Sequence, residues 1–225
     1  MSSEGGIRKP RKIDVAKFMQ KLERNIGESK GRDPLELVLV LLYAGGGKAP
    51  SKLHVQKALF IASKHIKELG DLLEFKAYRM GPWSEEVGDA LESAVLAGLA
   101  SLSEGGPALT QQGVDRAKDI WDSLDDELKK VLADVAEFVN KMSEDELLLY
   151  TYTVYGEDEK SEVKDQLLRR RKELAEKMLL KGLVSTGLAA EIAGEPLPRF
   201  IEYLKKKGVK PFAAEVGDIE KAEKL

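Results

Sequence analysis

The sequence predicts a mainly α-helical protein: a winged helix of three helices plus a two-stranded wing, then additional helices and a C-terminal helix-turn-helix. Three observations carry this. Apolar residues recur at helical spacing along most of the chain, between breaks rich in Gly, Pro and Ser. Short stretches near Leu73 to Met80, Ala100 to Ser103 and Ala108 to Thr110 have the character of strands. Finally, STGLAAEIAGEPLPRFIEYLKKK, Ser185 to Lys207, sets small Ala190, turn residue Gly194 and apolar Phe200 at the spacing of a helix-turn-helix.

In chain order, residues 1–32 read as a basic tail, with Arg8, Lys9, Arg11 and Lys12, followed by a helix from Asp14 to about Ile26. The winged-helix domain with its helical extension spans 33–159. Asp33 caps and Pro34 opens a nearly all-apolar central helix to Ala44. Gly45-Gly46-Gly47-Lys48 ends that helix and lacks the spacing of a phosphate loop. Ser51 caps a second helix to about Leu69, with Leu53, Phe60, Ile66 and Leu69 inward and Lys57 and Lys64 sharing an exposed face. A strand from Leu73 to Met80 leads into a Gly81-Pro82-Trp83 turn. Ser84 caps a third helix to about Leu99, and the wing turns at Glu104-Gly105-Gly106-Pro107. Helices follow at Gln111 to Trp121, Asp125 to Asn140 and, behind a Ser143/Glu146 capping box, Leu147 to Tyr155. A connecting helix covers 160–180 and links two domains or pairs with its copy in a dimer. The helix-turn-helix domain and a polar tail fill 181–225.

Composition bounds the function. The 225 residues are 43% hydrophobic and 33% charged, with a net charge of −3, so the chain is globular and no polycation. Any nucleic-acid contact has to come from a local patch. Cysteine is absent, which removes disulfides, thiolate zinc sites and a thiol nucleophile. MSSEGGIRKPRK has no apolar core of signal-peptide length, and the longest apolar run, Leu37 to Ala44, is too short to cross a bilayer. A cytoplasmic archaeal or bacterial protein without a membrane partner is expected.

Two resemblances extend this reading. KLHVQKALF (Lys52 to Phe60), FKAYRMGPWSEEV (Phe75 to Val87), LTQQG (Leu109 to Gly113) and LLLYTYTVYGEDEKSEV (Leu147 to Val163) resemble winged-helix proteins of the YwgA type and the related Panacea-type antitoxin domain. KGLVSTGLAAEIAG (Lys181 to Gly194) and FIEYLKKKGV (Phe200 to Val209) resemble a small prokaryotic helix-turn-helix family thought to contain antitoxins. Glu195 departs from the latter, standing where an apolar residue usually helps to close the turn. Together the resemblances imply a regulator or antitoxin-like protein.

Charge is segregated along the chain. Lys160 to Lys210 holds thirteen basic and seven acidic residues, and Asp115 to Tyr150 five basic and eleven acidic. The candidate DNA-binding residues are Thr186, Pro198, Arg199, Tyr203, Lys205, Lys206 and Lys207 around the second C-terminal helix, with Arg169 and Arg170 on the connecting helix. Arg199 lies where side chains reach base edges, and the terminal lysines meet phosphates or simply end a solvated helix. The winged helix offers the opposite charge, starting its third helix with Ser84, Glu85 and Glu86. That opposes phosphate, so Trp83, Glu85 and Glu86 are candidates for a protein partner; Trp83 packing into the core is the other reading.

An enzyme is not expected. His54 and His65 lie three helical turns apart and share no metal site, and no GxSxG, HExxH or nucleotide loop occurs. Asp125-Asp126-Glu127 reads as helix-start acidity. No cofactor or metal is called for. The expected function is a DNA-binding transcription regulator, antitoxin-like and homodimeric, using double-stranded DNA and a toxin or other protein as partners. The alternative is a protein-interaction module without sequence-specific DNA binding.

Overall fold

The computed structural model describes residues 34–124 and 126–209, apart from the side chains of Lys67, Glu68 and Glu127. The basic tail, the helix expected from Asp14, the cap at Asp33, the helix start at Asp125, and the polar tail after Pro211 lie outside the described residues. The chain is mainly helical, with two small antiparallel hairpins.

The first helix among the described residues, α1 (Pro34–Ala44), has no polar side: Val38 to Leu42 are all buried. Such a helix has to be covered all round. Helix α2 (Lys52–His65), α4 (Glu85–Leu96), α5 (Gln111–Ser123) and α6 (Asp126–Asn140) all pack against it. Short α3 (Lys67–Leu72) continues α2 after a break at Ile66, where the backbone is extended, so the single helix expected to Leu69 is two. The inward set Leu53, Phe60, Ile66 and Leu69 is buried as expected.

Strands β1 (Lys76–Tyr78) and β2 (Gly81–Trp83) form a hairpin in which Ala77 faces Pro82. The expected Gly-Pro-Trp turn is therefore itself a strand, and the turn falls at Arg79 and Met80. A two-stranded hairpin leaves one edge of each strand unpaired, so Pro82 is tolerated there despite lacking an N–H. Gly81 sits at φ 74°, and a Cβ added to it would lie 2.7 Å from the Tyr152 ring. The hairpin can seat this closely only on glycine.

Strands β3 (Ala100–Ser103) and β4 (Gly106–Leu109) make the second hairpin. Lys48 bridges Ala108 on its outer edge, supported by Ala49 N–H to the Pro107 carbonyl and Leu109 N–H to the Gly47 carbonyl. The glycine-rich segment after α1 thus acts as a third, minimal partner of the hairpin.

Beyond α6, the Ser143/Glu146 capping box forms as expected and starts α7 (Glu144–Tyr155). Glu146 is only 1% exposed and accepts both Ser143 N–H and Lys181 Nζ, at 2.7 and 2.6 Å. The cap of α7 is thereby tied to the end of α8 (Lys164–Leu180). That helix starts later than expected because 157–163 is engaged elsewhere. Glu162 N–H bonds the Arg79 carbonyl, and Ser161 bonds the Tyr152 hydroxyl. Leu167, Leu174, Ala175, Met178 and Leu179 of α8 join an apolar cluster that runs continuously from Val38 to Leu204. The last two helices, α9 (Thr186–Ala193) and α10 (Leu197–Lys206), complete that cluster.

Two expectations on α2 fail. The Ser51 side chain makes no cap bond to the backbone of α2. Its hydroxyl instead meets Nδ1 of buried His54, whose Nε2 donates to the Met142 carbonyl. Lys57 does not share an exposed face with Lys64; it is 1% exposed. Its Nζ donates to the Pro82 carbonyl at 2.6 Å and so ties α2 to β2. Lys64 is the exposed one, paired with Glu157 and lying over the Phe60 ring. Leu53 to Ala62 of α2 are all buried, so a lysine at position 57 has no wet face to occupy, unlike Lys52 and Lys64 at the ends of the helix.

Burial pushes the Lys57 ammonium down to about 7, against the pull of the Glu157 carboxylate. Between that pH and the unfolded lysine value of about 10.4, the folded chain binds fewer protons than the unfolded one, so stability rises with pH. From pH 7 to 9 the expected gain from this group is on the order of 2 kcal/mol. Urea unfolding of the wild type and Lys57→Met across that range checks it: the variant should lose this part of the slope, and parallel profiles would contradict the assignment.

Candidate nucleic-acid interface

Each end of the α9–α10 pair is built by local chemistry. The Ser185 hydroxyl accepts from Leu188 N–H at 3.2 Å and caps α9. Ala189, Ala190, Ile192 and Ala193 are buried, and Ala190 is small as a crossing point requires. Gly194 ends α9 at φ 68°, and Glu195 N–H bonds back to the Ala190 carbonyl. Arg171 of α8 supplies a second closure, its Nε donating to the Ile192 carbonyl at 2.7 Å and its Nη2 to that of Glu191 at 3.1 Å. A Cβ on Gly194 would press on the Arg171 guanidinium and push it off these carbonyls, and the left-handed backbone there itself favours glycine. Glu195, in the place of the usual apolar residue, closes the turn by an ion pair with Lys172.

Helix α10 is strongly two-sided. Phe200 and Leu204 are buried, one turn apart, and Ile201 and Tyr203 are half-buried. Pro198, Arg199, Glu202, Lys205, Lys206 and Lys207 are exposed. Glu176 of α8 fixes how this helix is turned. Its carboxylate accepts the Tyr203 hydroxyl at 2.6 Å and Lys207 Nζ at 2.7 Å. Burial works to raise the Glu176 carboxyl, yet these two donors outweigh it and hold it below the usual range.

The nine residues singled out for DNA therefore divide. Arg199, Lys205, Lys206 and Arg169 are exposed and form no ion pair among the described residues. Arg170 is held by Asp145 at 2.6 Å and by Glu173 at 3.6 Å. Lys207 and Tyr203 direct their polar atoms to Glu176, and Lys207 lies 5.1 Å over the Tyr203 ring. Thr186 is the half-buried first residue of α9, and Pro198 the exposed second residue of α10. Glu202 stands on the outer face between Arg199 and Lys206, at three- and four-residue spacing from them, and dilutes the positive stripe.

The residues singled out for a protein partner lie together elsewhere. Gln56 brackets the Ser84 backbone through its N–H and carbonyl, and the Ser84 hydroxyl caps Val87 N–H and donates to Glu86 at 2.6 Å. Glu85, Asp89 and Glu92 continue an acidic outer face on α4. Trp83 is half-buried and leans on Gly88, its ring 6.2 Å from that of exposed Tyr78. Sequence reasoning missed Arg171, Lys172 and Glu176, which hold the C-terminal pair, and Tyr78 beside Trp83. Among the described residues no group of three or more metal-ligating side chains converges.

Replacing Glu176 by Ala is expected to cost about 1–2 kcal/mol, the scale of a partly exposed charged hydrogen-bond pair. Amide hydrogen exchange should then speed up in 197–207 more than in α1. The wild-type advantage should persist above the unfolded carboxyl value of about 4.3 and vanish as pH falls through the depressed Glu176 range. Unchanged exchange in α10 would contradict the role given to Glu176. Comparison with family models, with curated proteins and with solved structures finds no match to this chain.

Proposed function

We propose that the chain is a DNA-binding transcription regulator of antitoxin type, acting in the cytoplasm as a homodimer that reads two half-sites with α10. One observation carries this: Arg199 in the first turn of α10, and Lys205 and Lys206 in its last, are exposed and outside any ion pair among the described residues, on a helix whose other side is buried. In this reading α9, Gly194 and α10 are a helix-turn-helix. Arg199 meets base edges and the two lysines meet phosphates. Arg169 adds a phosphate contact from α8. The reading calls for no cofactor, metal or catalytic group.

The N-terminal part is a winged helix in this proposal, made of α1, α2, α4 and the β3–β4 wing. The bridge from Lys48 to Ala108 supports it, since it gives the wing a third strand entering from the end of α1. The acidic outer face of α4 favours a separate task for this part, binding of a toxin or other protein, because those carboxylates would repel a duplex.

A mobility-shift titration with fragments of the source genome tests the main reading. A subset of fragments should shift, and Arg199→Ala should weaken the specific complex by about tenfold or more, the scale of one good base contact. Lys205→Ala with Lys206→Ala should weaken all fragments alike and flatten the salt dependence. No shift at low salt, or shifts indifferent to these changes, would overturn it.

A further inference from the structure

We propose that the cleft between the β1–β2 hairpin and the start of α4 binds an arginine side chain of a basic segment in a partner protein. This rests on the partner-binding task given above to the acidic side of α4 and names its ligand, and it does not depend on the DNA reading. The cleft has a volume of about 360 Å³. One wall is aromatic: Tyr78 is 53% exposed, and its ring lies 6.2 Å from Trp83 at 41°. At that separation the two rings touch each other and leave no slot between them. They present a bent aromatic surface on which a flat group can lie.

The rest of the lining supplies charge. Glu85 and Glu86 stand at the N-terminus of α4 on the same cleft. Glu86 is aimed by the Ser84 hydroxyl at 2.6 Å, and Glu85 forms no ion pair among the described residues. Glu74 also lines the cleft but is taken by Lys76 at 3.2 Å. With Lys160 included, three carboxylates face two ammonium groups, a net charge of −1. A ligand that satisfies both features is a cation with a flat, weakly hydrated face. Guanidinium stacks on Trp or Tyr and donates two parallel N–H groups to a carboxylate, whereas an anion would meet the Glu85 and Glu86 carboxylates with Lys160 as the one cation not already paired among the described lining residues. Trp83 and Tyr78 are also held in place without the ligand. Gly88 backs the indole, and β1 pairs with β2, so little ordering is left to be done on binding.

The test uses the full chain with Trp121→Phe, which leaves Trp83 as the single tryptophan. The probe is acetyl-Gly-Arg-Gly-amide, followed by tryptophan fluorescence. The control is the same peptide with citrulline, the neutral isostere of arginine. The expected result is a saturable change with the arginine peptide at least about fivefold tighter than with the citrulline one. Tyr78→Ala and Glu85→Gln, both at exposed positions, should each weaken the arginine complex by about threefold to tenfold. Equal binding of the two peptides, no saturable change up to about 10 mM, or binding indifferent to both substitutions would each overturn the proposal. DNA retention should be the same in Tyr78→Ala as in the wild type, so failure here and failure of the DNA reading are separable.

Discussion

Five consecutive buried residues, Val38 to Leu42, leave α1 without a wet side, and the rest of the chain is arranged to cover it. Helices α2, α4, α5 and α6 and strand β4 do so directly. Burial then spreads outward, because α2 and α6 have further apolar surface of their own. Helix α2 hides even a histidine and a lysine, each satisfied by a distant backbone carbonyl. Such groups are costly to strand and therefore specify one arrangement. Helices α7, α8, α9 and α10 extend the same apolar cluster to the far end of the molecule. With the middle used for packing, surfaces left for recognition lie on the outermost elements.

Those outer surfaces carry opposite charge. On α4 the exposed groups are carboxylates, next to two aromatic rings. On α10 they are mainly cations. The difference matters because Coulomb attraction to a duplex grows with each phosphate neutralised, whereas acidic groups of the same number would oppose it. The seat of α10 on α8 is what makes its outer face a defined surface. Phe200 and Leu204 set its depth, Glu176 sets its rotation, and Arg171 with the Lys172–Glu195 pair sets the angle of the turn before it. Several basic residues of α8 and α10 are consumed in this seat, so the basic excess of the C-terminal region overstates what is free to meet a partner.

Features governed by neighbours in sequence were legible in advance. The caps at Ser84 and Ser143, the capping box through Glu146, the left-handed Gly194 and small Ala190 all follow from local spacing. Features governed by distant partners were not. Lys57 shares a face with Lys64, seven residues on, in a one-dimensional view, and only the packing of β2 and α7 on α2 shows that its part of that face is closed. Ser51 stands where a cap would, but its hydroxyl is engaged by His54. The Gly-Pro-Trp segment carries turn residues, yet the turn lies just before it because Gly81 must fit against Tyr152. Of the basic residues at 169–172, Arg169 and Arg170 were singled out for DNA, and the engagement of Arg170, Arg171 and Lys172 depends on Asp145, Ile192 and Glu195, which no periodicity reveals.

The most direct test of the proposed duplex contact is a backbone amide NMR titration of the full chain with a short duplex at low salt. Shift changes concentrated in residues 185–187 and 197–207, absent from 83–96 and shrinking as salt rises, are the expected result. Changes centred on α4 and the β3–β4 hairpin, or none above those seen with a neutral crowding polymer, would contradict the assignment of α10 as the DNA-reading helix.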